Sequence, residues 1–140
     1  MEARDVVEAW LGAFNRHDVA RCAELLAPDV HFVAGGGHEI VDGREVLATD
    51  LALAFETWEK WTLTPNRWTC EDDRCVVEVH NYAICGDTGK VRETDDCIVF
   101  IVRNGRIIEQ DFYWDSAATR DAATRDMPAT ATASMSMIDA

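Results

Sequence analysis

CVVEVHNYAICGDTGKVRETDDCIVFIVRNGRIIEQDFYWD, residues Cys75 to Asp115, contains three runs in which apolar and polar residues alternate, separated by GDTG and NG. A period of two sends successive side chains to opposite faces of a β-strand. Asn-Gly between two such runs is the strongest short hairpin pattern, because a tight turn there needs positive φ at both central positions. WTLTPNRWTC, ended by EDD, adds a run in front, so four antiparallel strands are expected from Trp61 onward. Pro65 cannot donate to a ladder, which places the first of these strands at an edge or puts a bulge at that point.

Upstream, the period is helical. Val7, Trp10, Leu11 and Phe14 line one face of a helix over residues 3–16, and Asp18 is placed to cap a second helix that ends before Pro28. DVHFVA, Asp29 to Ala34, alternates like a strand, with His31 expected on its outer side. Asp42 and Glu45 resemble a capping box ahead of a third helix carrying Leu47, Leu51, Phe55 and Trp58. Helices followed by a sheet make an α+β domain over residues 1–116. Residues 117–140 are rich in Ala, Thr, Ser and Met and repeat AATRD in tandem, so they are expected to be a disordered tail.

At 140 residues and 48% hydrophobic, the chain has material for one domain with one core. Its net charge of −13, from 26 Asp and Glu against 13 Lys and Arg, opposes binding to nucleic acid or to an anionic membrane. MEARDVVEAW has neither a basic n-region nor an apolar run, so a cytoplasmic location is expected. The five cysteines, Cys22, Cys70, Cys75, Cys85 and Cys97, form no C-x-x-C pair and read as reduced thiols packed as small hydrophobes, with no metal site.

The order of elements, together with LLAPDVHFV, DGREVL and NGRIIEQDFYWD, resembles the nuclear-transport-factor-2-like superfamily in its SnoaL-like and ketosteroid-isomerase-like branch, over residues 3–115. The resemblance implies a cone-shaped α+β barrel in which a curved antiparallel sheet wraps three helices and leaves a pocket at the open end. It implies fold more than activity, because isomerases, dehydratases, epoxide hydrolases, polyketide cyclases and non-catalytic proteins share that fold. The residues depart from two of those groups. Trp10, Ala34 and Cys97 stand where ketosteroid isomerases carry a Tyr and two acids, and Glu78, His80 and Phe112 stand where limonene-epoxide-hydrolase-like enzymes carry an Arg-x-Asp pair and a later Asp.

Hairpin register selects candidate site residues. A two-residue NG turn sets Cys97 opposite Phe112, Val99 opposite Gln110 and Asp95 opposite Trp114, and a four-residue GDTG turn sets His80 opposite Asp95. One face then carries Glu78, His80, Tyr82, Asp95, Gln110, Phe112 and Trp114, and is assigned to the cavity. A one-residue change in either loop would replace Asp95 by Asp96. On this reading His80 is a general base oriented by Asp95, with Tyr82 as a hydrogen-bonding partner. Glu78, Gln110, Phe112 and Trp114, with Trp10, Phe14 and Trp58 from the helices, would line the substrate site.

The opposite face, with Val77, Val79, Ile98 and Phe100, would join two subunits in a homodimer. The expected function is a cofactor-independent acid/base enzyme, of cyclase or isomerase type. Its substrate would be a hydrophobic polycyclic metabolite such as a polyketide, terpenoid or steroid, held in an enclosed pocket. The alternatives are an epoxide hydrolase or dehydratase of the same fold, or a non-catalytic binding or dimerisation module.

Overall fold

The computed structural model describes residues 2–35, 37 and 39–124. Helix α1 spans Ala3–Asn15 and starts where the Asp5 carboxylate accepts from the Glu2 backbone N–H at 3.1 Å. Its buried stripe of Val6, Val7, Trp10, Leu11 and Phe14 packs on the sheet. Helix α2, Val19–Glu24, is capped by Asp18, which accepts from the Arg21 N–H. Strands β1 (Leu26–Ala34) and β2 (Glu39–Asp42) precede α3, Arg44–Thr57. The N-cap of α3 is Gly43 at φ 99°, not the expected Asp42 box. The remaining elements are β3 (Trp58–Glu71), β4 (Arg74–Cys85), β5 (Val91–Arg103), β6 (Arg106–Tyr113) and α4 (Ser116–Ala123).

The strands form one curved sheet in the order β2-β1-β6-β5-β4-β3, with β1 parallel to β6 and the other neighbours antiparallel. The sheet stays open, with β2 and β3 as its edges, so the expected barrel is not closed. Pro65 lies on the edge strand β3, beside a register shift between Pro65 and Arg67, and both consequences of its missing donor are met. The helices α1 and α3 cover one face of this sheet. Phe14, Leu63, Ile98 and Phe100 are fully buried between the layers, each worth about 1.5–3 kcal/mol relative to exposure.

One extra residue decides which side chains face inward. Arg103 pairs with Arg106 across the NG turn as expected, but Val102 then pairs with Ile107 and Ile101 with Glu109, which leaves Ile108 as a bulge. A one-residue insertion flips every later side chain to the other face. Phe112 therefore pairs with Ile98 rather than Cys97, and Gln110 with Phe100 rather than Val99. His80 does pair with Asp95, and Val79 with Asp96.

The interior face thus carries Val77, Val79, Asn81, Asp96, Ile98 and Phe100 together with Gln110 and Phe112. Glu78, His80, Tyr82 and Asp95 stand on the outer face. This corrects the face assigned from sequence, and it places the residues expected to join two subunits inside the core.

Two further expectations are corrected. The segment from 117 is not disordered throughout, because α4 occupies Ser116–Ala123, with Asp115 accepting from the Ala118 N–H and Thr88 Oγ1 donating to the Ala122 carbonyl. The rest of the expected tail, 125–140, lies outside the described residues. Cys70 and Cys75, directly opposite across the β3–β4 hairpin, form a disulfide rather than two free thiols. Cys22 and Cys85 are free and buried as expected, and burial pushes the Cys22 thiol up to about 12.

Candidate functional site

Between α1, α3 and the inner face of the sheet lies a cavity of about 360 Å³. Its walls are aromatic because each element directs a bulky residue there. Trp10 and Phe14 from α1 sit 5.3 Å apart, Phe14 meets Trp61 of β3 at 4.9 Å, and Phe112 of β6 meets Trp114 at 5.2 Å. Leu47, Leu51 and Ala54 of α3 add aliphatic surface. An apolar cleft of this size with a few polar groups is the form of a small-molecule site.

The polar groups start from Arg92 on β5, which is 2% exposed. Its guanidinium lies 4.3 Å from the Trp58 ring and 4.9 Å from the Trp61 ring, an arrangement in which two indole faces take the place of water around the cation. Nη1 donates to Thr119 Oγ1 of α4 at 3.1 Å and Nη2 to Asn81 Oδ1 at 3.4 Å. Burial pulls the Arg92 guanidinium down to about 10, against the opposing charge of Asp96.

Asn81 Oδ1 also accepts from Trp61 Nε1 at 2.8 Å, and Asn81 Nδ2 donates to Asp96 Oδ2 at 2.6 Å. Asp96 accepts a further bond from Thr94 Oγ1 at 3.1 Å. Burial raises the Asp96 carboxyl above the ordinary range, while the Asn81 and Thr94 hydrogen bonds and the Arg92 charge oppose the shift.

Four buried N–H groups among the described residues have no partner: Arg92 Nε, Gln110 Nε2, Trp10 Nε1 and Trp114 Nε1. All four residues line the cavity. Two carboxylates, Asp50 on α3 and Glu39 on β2, also line it and are only half-buried. Among the described residues no three His, Cys, Asp or Glu side chains gather to hold a metal ion.

The structure brings together six of the residues expected from sequence: Trp10, Phe14, Trp58, Gln110, Phe112 and Trp114 all line the cavity. It places four elsewhere. His80 does bond Asp95, Nδ1 to Oδ1 at 3.0 Å, but its other nitrogen bonds Glu93 at 2.8 Å and its side chain is 39% exposed on the outer face. Tyr82 and Glu78 share that face, Glu78 pairing with Arg67. Arg92, Asn81, Trp61 and Asp50 were missed, and Asp96 was weighed only as the alternative to Asp95. Their pattern was available, since Arg92 and Asp96 are four apart on one strand and so share a face, but it needed the register that puts Asp96 inward.

An open mixed sheet folded over helices around an apolar cavity defines a protein of the nuclear-transport-factor-2-like superfamily. Within it, the chain belongs to the SnoaL-like domain family, whose model matches residues 7–110. It is 30% identical over 122 residues to an uncharacterised protein of Mycobacterium tuberculosis, covering 82% of this chain and 91% of that one. In fold it is similar to a candidate polyketide cyclase from Xanthomonas campestris, with a TM-score of 0.79, 23% identity and coverage of 87% of this chain and 96% of that one. It is also similar to an LEH-like epoxide hydrolase of M. tuberculosis, with a TM-score of 0.75, 22% identity and coverage of 86% and 88%. No helix among the described residues is long and apolar enough to cross a membrane.

Proposed function

We propose that the cavity binds a flat, hydrophobic carbonyl compound and carries out cofactor-independent acid/base chemistry on it, of the isomerase or cyclase type. The observation that carries this reading is Arg92: a cation buried in an apolar cavity, fixed on two sides by indoles and with its Nε–H unpaired. A preorganised donor in a water-poor site stabilises charge that develops on a substrate oxygen far better than water does. Asp50, lining the same cavity, supplies a carboxylate that can take a proton from the carbon beside the carbonyl.

Loss of that proton gives an enolate whose oxygen is held by Arg92. Return of the proton at another carbon is isomerisation, and attack of the enolate carbon on a second carbonyl is cyclisation. The cyclase assignment of the Xanthomonas campestris relative agrees with this reading.

The test is exchange of the α-hydrogens of 2-tetralone in heavy water, followed by NMR. The wild-type protein is expected to accelerate exchange, and Asp50→Asn to remove roughly 10²- to 10⁴-fold of that acceleration. No acceleration over buffer, or an Asp50→Asn variant as fast as wild type, would overturn the proposal. Binding without exchange would leave a non-catalytic small-molecule module.

A further inference from the structure

We infer that residues 125–140, which follow α4, lie as an extended strap along the exposed side of α3 and close the mouth of the cavity. The inference concerns the cover of the cavity and holds whatever chemistry takes place inside. Its first basis is an apolar stripe on α3 that the described residues leave open. Leu47, Leu51 and Ala54 line the cavity, yet Val46 and Leu53, two turns apart on the same helix, are 55% and 57% exposed, and Leu53 forms part of the cavity's rim. A helix that is apolar on more than one side has a second surface to cover.

The described residues end at that rim. Ala123, the last residue of α4, lines the same cavity as Leu53 and Thr57 of α3. The end of α4 is fixed there, because the Ala122 carbonyl accepts from Thr88 Oγ1 at 2.7 Å and the Thr124 carbonyl from Lys90 Nζ at 2.8 Å. Residue 125 therefore starts at the mouth. From Thr57 back to Val46 the helix runs about 16 Å at 1.5 Å per residue, and an extended chain covers that in roughly five residues.

The pattern of the segment fits an extended strap. From Ala129 to Met137 every odd position is Ala or Met and every even one is Thr or Ser. A period of two puts the apolar groups on one side of an extended chain and the hydroxyls on the other. No charge occurs from Pro128 to Ile138, so the strap passes the carboxylates Asp50 and Glu39 at the mouth without repulsion. Methionine, unbranched and adaptable, suits contact with an irregular apolar rim. The net charge of −13 disfavours a second copy as the occupant, since two chains repel, whereas a tethered segment is held at high effective concentration.

Methyl NMR of the full chain tests this, because Met127, Met135 and Met137 lie in the segment and Met1 is the one methionine elsewhere. With Met, Leu and Val methyls isotope-labelled, methionine methyls of the segment are expected to show nuclear Overhauser contacts to Leu53 and Val46, whose signals are assigned by their loss in Leu53→Ser and Val46→Ser. Both side chains are more than half exposed, so these variants are expected to fold. In the double variant the segment's methionine methyl lines should narrow and move to free-methionine shifts.

Narrow lines at free-methionine shifts already in the wild-type chain would overturn the inference, leaving the segment disordered and the cavity uncovered. Contacts to a different surface would overturn it too. So would contacts seen in a mixture of Met-labelled chains with Leu- and Val-labelled chains, because these arise only between copies and would assign the stripe to a second molecule.

Discussion

Asn81 of β4 and Asp96 of β5 are diagonal neighbours on the inner face of the sheet, with the Asn81 amide donating to the carboxylate at 2.6 Å and its carbonyl oxygen accepting from Trp61 at 2.8 Å. Asn81 joins the buried acid to the groups around the buried cation, since its oxygen also accepts from Arg92. Replacing it with Leu would strip a partner from Asp96, Trp61 and Arg92 at once. Asn81→Leu is therefore expected to lose about 2–5 kcal/mol of stability by urea denaturation. The double variant Asn81→Leu with Asp96→Leu should recover part of this, because the buried acid is gone. A single variant with a midpoint within experimental error of wild type would show that the network is not coupled to folding.

Much of the frame was legible from the sequence, and the reason it stopped short is local. The NG turn and the edge position of Pro65 follow from single residues' backbone chemistry, and the pairing of His80 with Asp95 from the length of the GDTG turn. The Ile108 bulge does not, because Ile107 and Ile108 are equally apolar and either could point inward; tertiary packing chooses. That choice moved Asp95 and His80 outside and brought Arg92 and Asp96 in. The Cys70–Cys75 bridge was readable, since a two-residue turn at Asp72 and Asp73 sets the two cysteines opposite one another. Helix α4 escaped because its Ala and Thr residues have little apolar area, and it docks through small contacts and hydrogen bonds.

The bulge itself makes a prediction. Deleting Ile108 would leave Ile107 opposite Val102 and Glu109 opposite Ile101, so the ladder closes without a bulge and Gln110 and Phe112 stay inward opposite Phe100 and Ile98. Only one half-buried side chain is lost, at a cost of about 0.5–3 kcal/mol. The deletion is expected to keep cooperative thermal unfolding, followed by circular dichroism, at a lowered midpoint, and Ile108→Val should melt close to wild type. A deletion variant without a cooperative melt would show that the fold requires the bulge rather than tolerating it.

His80 on the outer face is a titration reporter. The hydrogen bond to Asp95 raises its pKa most, the bond to Glu93 adds to this, and slight desolvation opposes both. A histidine whose folded pKa is raised stabilises the fold while it is protonated. That contribution is complete below the unfolded value of about 6.5 and is lost as pH rises through the higher folded value.

His31, bonded to Asp42, is shifted in the same direction. NMR titration should place both imidazoles above the reference, and Asp95→Asn should lower His80 alone. His80→Ala is expected to leave tetralone exchange unchanged, since the imidazole lies outside the cavity. Loss of exchange in that variant would return the outer-face dyad to the chemistry.

Thr119 ties α4 to Arg92. It is 1% exposed, its hydroxyl donates to the Asp115 carbonyl and accepts from Arg92 Nη1, and it is the acceptor of that guanidinium nitrogen among the described residues. Thr119→Val keeps the shape and removes the acceptor, so Nη1 is left buried and unpaired at a cost of about 1–3 kcal/mol. Because the lost bond also fixes the guanidinium, acceleration of 2-tetralone exchange should fall along with the melting temperature. Thr119→Ser restores the hydroxyl and should recover most of both. If Thr119→Val melts early but accelerates tetralone exchange as wild type does, α4 serves the fold alone and Arg92 is held in place by Asn81 and the two indoles.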